Sequence, residues 1–455
     1  MEILIDVLAF VVAISVLVIV HEFGHFWVAR RAGIKVLRFS VGFGRPLWSR
    51  VGRDGTEYAV AGIPLGGYVK MLDEHEGEVA EEQKPHAFNR KPLWARNLVV
   101  VAGPLFNFLF AIVAYWAIFV IGSTELRPLI GEVVDGSAAA MAGFERGDEV
   151  LAIGGEATPS WDDVLMEFLD KGVDSGRLAV QVETEGGFET TRYLDLQKMG
   201  PLGENPDVLS ALGFRPWLPR VAPKVSQVLP DSAAAAAGIE AGATIVRVSG
   251  EPIGSWQDLV RYVQARPGEK ATFTIEQGGQ RREVTVTLGS RKAQNGTQVG
   301  LLGVMPVMPE QGIERLRHTV QYGPIQAIVR SLKQTWEVSS LTVKMLWRMI
   351  SGEASMKSLS GPISIAQYAG VSASLGVTPF LKFLALVSIS LGVLNLLPVP
   401  LLDGGHLLYN GIEWVQGRPL SDRAQGIGRQ IGIVLLIFLM ALAFYNDLAG
   451  LFGPR

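Results

Sequence analysis

His21-Glu22-Phe23-Gly24-His25 sets two imidazoles four residues apart, which on a helix puts both on one face with a carboxylate beside them. Two neutral imidazoles so placed can hold one divalent metal, and Glu22 is positioned to act as general base on a water. A catalytic zinc takes three protein ligands and keeps a fourth position open. The chain has no cysteine, so the third donor must be His, Asp or Glu. His75, His86 and His318 sit in charged or loop contexts. Asp403 closes an apolar run at Leu401-Leu402 and precedes Gly404-Gly405, where backbone can come close to a metal or substrate. It is the expected third ligand, with His406 as its rival. Ligands must be deprotonated, so metal binding should weaken as pH falls through the imidazole range. Zinc fits the donors, although spacing alone does not separate it from another divalent ion. The same His/Asp cluster could also serve a transporter as an ion site, but no inverted repeat accompanies it.

These residues lie beside apolar stretches that must position them. Of 455 residues, 48% are hydrophobic, a high share for a purely soluble protein. The formal net charge of −3 offers no basic face to neutralise phosphates, so nucleic acid is excluded as an expected partner. Apolar runs at Ile3–Val20, Leu98–Gly122, Phe380–Leu402 and Ile431–Tyr445 read as spans, the last one short. The first is expected to be retained and not cleaved as a signal peptide, because it lacks a basic start and its helical pattern continues into His21–Ala29. Ionisable groups are costly at a span's end, which favours a functional reading of the motif. Arg30, Arg31, Arg38, Arg45, Lys70, Arg90 and Arg96 among others fall between the first two runs, so that loop should be cytoplasmic. Both termini and the long segment after the second span then face the opposite compartment, a bacterial periplasm. The first and third spans run in the same direction, so His21, His25 and Asp403 can meet.

The external segment repeats itself. Pro128–Ser137 aligns with Pro223–Ser232 at an offset of 95 residues, and Gly155-Glu156 and Trp161 recur as Gly250-Glu251 and Trp256. Each copy reads as strands with two helices and resembles a circularly permuted PDZ domain, whose groove accepts an extended peptide as an added strand. Between the first two spans, Arg38–Gly44 and Tyr58–Tyr68 read as strands with glycine turns. A helical substrate must unwind to expose its scissile bond, and an open strand edge can replace the lost backbone hydrogen bonds. Gly42, Phe43, Gly44, Gly66 and Gly67 are the candidates for that edge. Apolar residues at helical spacing from Ile325 to Ile350, with Arg330, Lys333, Lys344 and Arg348 interspersed, predict an amphipathic helix on the membrane surface or against the second repeat.

The motifs taken together, His21–His25, Gly103-Pro104-Leu105-Phe106-Asn107 and the run from Asn395 through Pro398 and Pro400 to Asp403-Gly404-Gly405, resemble the site-2 protease family of intramembrane zinc metalloproteases. The paired PDZ-like repeats resemble its Gram-negative, sigma-E-regulating branch, and the likeness covers essentially the whole chain. It implies cleavage of single-span membrane proteins already trimmed by an upstream site-1-type protease, above all a membrane-bound anti-sigma factor, and also of signal-peptide remnants. It further implies that Asn395, Pro398 and Pro400 hold substrate near the metal, and that the β-segment dips toward the membrane. Physically, the two prolines break the helix, which is tolerable at that depth only where backbone lines a cavity. The expected chain is therefore an α-helical membrane protein with four transmembrane helices, a cytoplasmic membrane-associated β-segment and two α+β PDZ domains in the periplasm. The expected order is span one with the metal motif (1–30), the β-loop (31–96), span two (97–122), the repeats (125–220 and 221–309), the amphipathic helix (320–352), span three with the Leu-Asp-Gly motif (378–406) and span four (429–447).

Overall fold

The computed structural model describes residues 2–452 apart from 76, 172–175, 197–207, 218–220, 231, 293–297, 308–315 and 353–360; the expected boundaries at 1, 220 and 309 lie outside the described residues. The chain divides into two compact units, one of Met1–Ser123 with Val320–Asp447, the other of Thr124–Thr319 with Leu448–Arg455.

The first unit is helical, and its helices are labelled here in chain order: α1 (Glu2–Arg31), α2 (Leu93–Ile121), α3 (Pro324–Ser351), α4 (Pro362–Ser374), α5 (Val377–Leu396), α6 (Asp403–Gln416) and α7 (Asp422–Phe452). Among the described residues, α1, α2, α5 and α7 are long and apolar enough to cross a membrane. The fourth run, short in sequence, gains its length from polar turns that continue the same helix on both sides. The stretch read as one span over 378–406 is two helices: α5 ends at Leu396, and Asp403 opens α6. Pro398 and Pro400 stand in the connector, where each removes a backbone donor that a continuous helix would need.

Helix α2 is the hub, with buried residues along much of its length. It meets α1, α3, α5 and α6. Small residues allow these approaches, as expected where lipid supplies no hydrophobic drive between helices. Helix α3 turns Ala327, Ser331, Thr335 and Val338 inward and leaves Ile325, Trp336, Trp347 and Ile350 exposed. Its start is tied to α2 by Trp116 Nε1, which donates to the Pro324 carbonyl at 3.1 Å. Its large apolar residues therefore face away from the helices it packs on, as suits a helix in contact with lipid. At the far end of α7, the Asp447 carboxylate accepts hydrogen bonds from the backbone N–H groups of Gly361, Ile363 and Ser364 at 2.9–3.3 Å, capping α4 from another helix.

Between α1 and α2 lie two long strands, β1 (Val36–Val51) and β2 (Glu57–Met71). They bend so that the first half of β1 faces both ends of β2: Val41 stands opposite Val60 and also opposite Gly67. The bending uses glycines at positive φ, 91° at both Gly42 and Gly44, a conformation other residues rarely adopt.

The second unit contains the repeat. In the first copy the strand order is Glu156–Ala157, Glu149–Ile153, Arg177–Glu183, Glu189–Asp195, and the second copy repeats that order with Glu251–Pro252, Thr244–Val248, Lys270–Gln277 and Gln280–Thr287. Even the caps recur. Ser160 Oγ accepts from Asp163 N and Ser255 Oγ from Asp258 N, both at 3.2 Å, and each hydroxyl donates to that Asp at 2.7 Å. Separate cores fill the copies, around Phe168 and Phe214 in the first and Phe273 and Ile275 in the second. Truncating Phe168 to Ala should cost about 3–5 kcal/mol and render the first copy sensitive to protease while the second resists. Fragment mapping after limited proteolysis checks this, and equal sensitivity of both copies would mean that they share one core.

Candidate active site

Helix α1 carries His21, Glu22 and His25 without interruption. Its approach to α2 is set by two glycines that face each other's helices. A Cβ on Gly24 would strike the Ala102 carbonyl and lie 3.0 Å from Phe106 Cγ, and one on Gly103 would run into His25 Nε2 and lie 2.8 Å from His21 Cε1. The imidazoles thus occupy the space that a side chain on α2 would need.

Helix α2 also grips the far edge of each ring. His25 Nδ1 lies 2.8 Å from the Val99 carbonyl; a carbonyl only accepts, so Nδ1 carries the proton and Nε2 presents a lone pair. The Asn107 side-chain Nδ2 lies 3.1 Å from His21 Nδ1. An Asn amide's two ends share one shape, and its oxygen against His21 Nδ1–H would give the second ring the same tautomer. The Asn107 backbone is held in turn, its carbonyl accepting from Ser388 Oγ on α5 at 2.9 Å.

The inner nitrogens then converge. His21 Nε2 and His25 Nε2 are 3.2 Å apart, His21 Nε2 is 3.3 Å from Asp403 Oδ2, and His25 Nε2 is 3.5 Å from Asp403 Oδ1. Asp403 Oδ2 is buried with no hydrogen-bond partner, so its closeness to His21 is an electrostatic approach without hydrogen-bond alignment. With the amide so turned, two lone pairs and a carboxylate face one point and repel one another unless a cation lies among them. Donors each 2.0–2.1 Å from a tetrahedral zinc stand about 3.3 Å from each other, which the two imidazole nitrogens match, and each carboxylate oxygen of Asp403 comes within 3.3–3.5 Å of one of them. Among the described residues, His21, His25 and Asp403 are the cluster able to hold a metal ion. His406 is not part of it, since its side chain is exposed and its ring lies against Tyr409.

The other expected residues lie on β1, β2, the end of α5 and the connector after it. A Cβ on Gly67 would lie 2.8 Å from Val18 Cγ1 and 3.2 Å from Glu22 Cγ, and the Val69 backbone N–H faces the Glu22 carboxylate. The end of β2 therefore passes directly beside Glu22. Gly66 lies beneath the ring of Phe43, which stacks at 8° on Tyr68. Gly42 and Gly44 serve the bend. Asn395 is in the last turn of α5, and Pro398 and Pro400 are in the connector. Pro400 is confined between Gly405 and Gly432, each too close for a Cβ. Leu401 beside it has φ of 92°, a strained value for a branched residue and one that concentrates at functional sites. Sequence reasoning did not single out Gly24, Val99 or Leu401, and assigned no role to Gly103 or Asn107. A glycine inside an apolar helix was the available signal.

Residues 9–439 match peptidase family M50. Curated relatives align over nearly their whole length. The regulator of sigma-E protease of Salmonella typhimurium is 45% identical, covering 99% of this chain and 100% of its own. That of Escherichia coli is 44% identical over 98% and 99%. A Vibrio cholerae relative carrying zinc metalloprotease in its name is 42% identical over 98% and 99%. Locally the chain is similar to the PDZ domain of an SdrC-like protein from Listeria innocua, 20% identical over 20% of this chain and 97% of that one, with a TM-score of 0.17. The chain belongs to peptidase family M50, the site-2 proteases, in the branch of the Gram-negative regulators of sigma-E protease. It is a metalloprotease and an integral membrane protein, and the transporter reading falls with that membership.

Gly103→Ala is expected to cost about 1–3 kcal/mol by overpacking and, since the added methyl enters the imidazoles' space, to strip metal. Gly392→Ala, which meets mainly the ring of Phe108, should retain it. Metal content of the two purified variants after dialysis decides, and equal retention would show that Gly103 does not set the imidazoles.

Proposed function

We propose that this chain is a zinc-dependent intramembrane endopeptidase, with His21, His25 and Asp403 as metal ligands and Glu22 as general base. The observation that carries the reading is the convergence of the two imidazole Nε2 atoms, 3.2 Å apart, on the Asp403 carboxylate, whose two oxygens lie 3.3 and 3.5 Å from them, a donor set that suits one divalent ion. Bound zinc supplies an acidified water and a Lewis acid for the scissile carbonyl. The chain's own residues do the rest. Glu22 takes the proton of the attacking water and returns it to the leaving amine. Val99 and Asn107 keep both imidazoles oriented. The end of β2 beside Glu22, with Gly66 and Gly67 lacking side chains, offers backbone to a substrate strand that has left its helix, and Gly42, Phe43 and Gly44 shape that edge. Asn395, in the last turn of α5, and Pro398 and Pro400, in the connector that interrupts the helix, hold the substrate.

The substrates are single-span membrane proteins already trimmed by an upstream protease, foremost a membrane-bound anti-sigma factor, together with signal-peptide remnants. Regulation of sigma-E is what the names of the full-length relatives state. The basic residues around β1 and β2 support an inner-membrane topology with the metal toward the cytoplasm and the termini and repeats in the periplasm. The repeats, read as PDZ domains, then lie across the bilayer from the chemistry and act as a filter that excludes substrates with bulky external domains.

Glu22→Gln should keep metal and fold while cleavage falls by about 10² or more, since general-base catalysis is typically worth 10²–10⁴; residual turnover within about tenfold of wild type would sink the assignment. Asp403→Asn should lower metal occupancy and His406→Ala should not, as read by metal analysis; the opposite pattern exchanges their roles. Replacing residues 127–308 by a short linker should leave cleavage of trimmed substrates intact and admit untrimmed ones. Paired cleavage assays in membranes test this, and loss of trimmed substrates alone would make the repeats recruiters.

A further inference from the structure

Helix α6 begins at Asp403, and packing at its first turn limits how it can sit: a Cβ on Gly404 would strike the Leu397 carbonyl, and one on Gly405 would lie 2.5 Å from the Val399 carbonyl. That packing holds the turn close to the connector. It controls rotation of the helix about its own axis poorly, because glycine offers no side chain to lock. Rotation is what the metal site cannot tolerate. A carboxylate oxygen stands about 5 Å off the axis of a helix whose Cα radius is ~2.3 Å, so turning by ~20° carries it ~1.7 Å. A working site needs its groups within about 0.5 Å.

Two polar contacts farther along α6 supply the missing constraint. Asn410 Nδ2 donates to Asn97 Oδ1 at 2.7 Å, and Arg96 Nη2 meets Glu413 Oε1 at 2.5 Å. The second pair is well removed from solvent, with side-chain exposures of 15% and 17%, so it is screened much less than a surface ion pair. Asp403, Asn410 and Glu413 follow one another at spacings of seven and three, which places them on one face of the helix. Their partners fall on the same helix that holds the histidines. Arg96 and Asn97 stand within a turn of Val99, the anchor of His25, and about two turns before Gly103. The two helices run antiparallel, with 413 opposite 96, 410 opposite 97 and the Asp403 end near 103.

We propose that the Arg96–Glu413 and Asn97–Asn410 contacts form a clamp that sets the rotation of α6 and so aims the Asp403 carboxylate at the two imidazoles, making these four side chains positioning residues for the hydrolysis. The inference rests on the metalloprotease reading of the triangle and extends it to a part of the chain that contributes no donor. Arg96 and Glu413 neither touch substrate nor metal; they act through Asp403.

The test uses the full chain purified in detergent with cobalt(II) as the probe metal, whose visible absorption reports ligand geometry. Affinity is read by chelator competition, fold by protease resistance, and kcat and KM on a membrane-embedded test peptide. Glu413→Gln and Arg96→Met are each expected to weaken cobalt binding about tenfold or more, the range of outer-shell partners, to alter its absorption, and to lower kcat more than KM. Asn410→Ala, a milder change, should shift the same readouts in the same direction. The exchange Arg96→Glu with Glu413→Arg should recover most of the affinity and the wild-type spectrum. Folded single variants with wild-type cobalt affinity and spectrum overturn the clamp. So does an exchange that restores protease resistance but not affinity, which would make the pair a brace for stability only. Failure of the wild type to bind cobalt overturns the metal reading, and the clamp falls with it.

Discussion

The cluster of His21, His25 and Asp403 depends first on how closely α1 and α2 approach. Two glycines, Gly24 and Gly103, let backbone and imidazole occupy space that any side chain would fill. Once that approach is made, the Val99 carbonyl and the Asn107 amide lie within reach of the outer ring nitrogens, and the inner nitrogens have nowhere to point except at each other. Two imidazole nitrogens 3.2 Å apart beside the Asp403 carboxylate make the site one that a cation completes. The free energy for this comes from packing, in a setting where helices gain little from hydrophobic exclusion and rely on close contact and hydrogen bonds.

The chemistry was readable because it is local. His21, Glu22 and His25 lie within one and a half helical turns, and the absence of cysteine together with the glycines after Asp403 pointed to a carboxylate as third donor. The repeat was equally legible, since capping serines, turn glycines and the tryptophan opening the second helix recur at fixed spacing. Beyond that helix the two copies drift out of register, from an offset of 95 at Trp161 and Trp256 to 90 where Phe214–Pro216 corresponds to Val304–Pro306. Loops of different length cause the drift, and no side-chain pattern marks it.

What the sequence hid is non-local. Gly24 and Gly103 are ordinary members of apolar runs until the neighbouring helix is in place. Arg96 reads as one of the basic residues that set orientation and Glu413 carries no signal of its own, and only the antiparallel packing of α2 and α6 brings them together. The split between α5 and α6 was half visible: Pro398 and Pro400 announced a break, but the apolar residues around them kept the hydropathy of a continuous span. The positive φ of Leu401 had no signal at all, since leucine is a poor residue for it. Similarly, the outward face of α3 could be read for amphipathicity but not for which side its neighbours take, because small residues such as Ala327 and Ser331 pack more tightly than the tryptophans opposite.

The donors come from opposite ends of the chain, two histidines in the first helix and an aspartate almost four hundred residues later. Synthesis delivers the N-terminal part first, so α1 and α2 can pair, and the repeats between can fold, long before Asp403 leaves the ribosome. Throughout that interval the nascent chain holds Glu22 and the two imidazoles but not the Asp403 carboxylate, and two donors fall short of the three that catalytic zinc takes. On the proposed assignment, the hydrolytic centre closes only once Asp403 has been made, late in the synthesis of the chain. On that assignment, the order of residues along the chain works as a safety catch on a metalloprotease of the membrane.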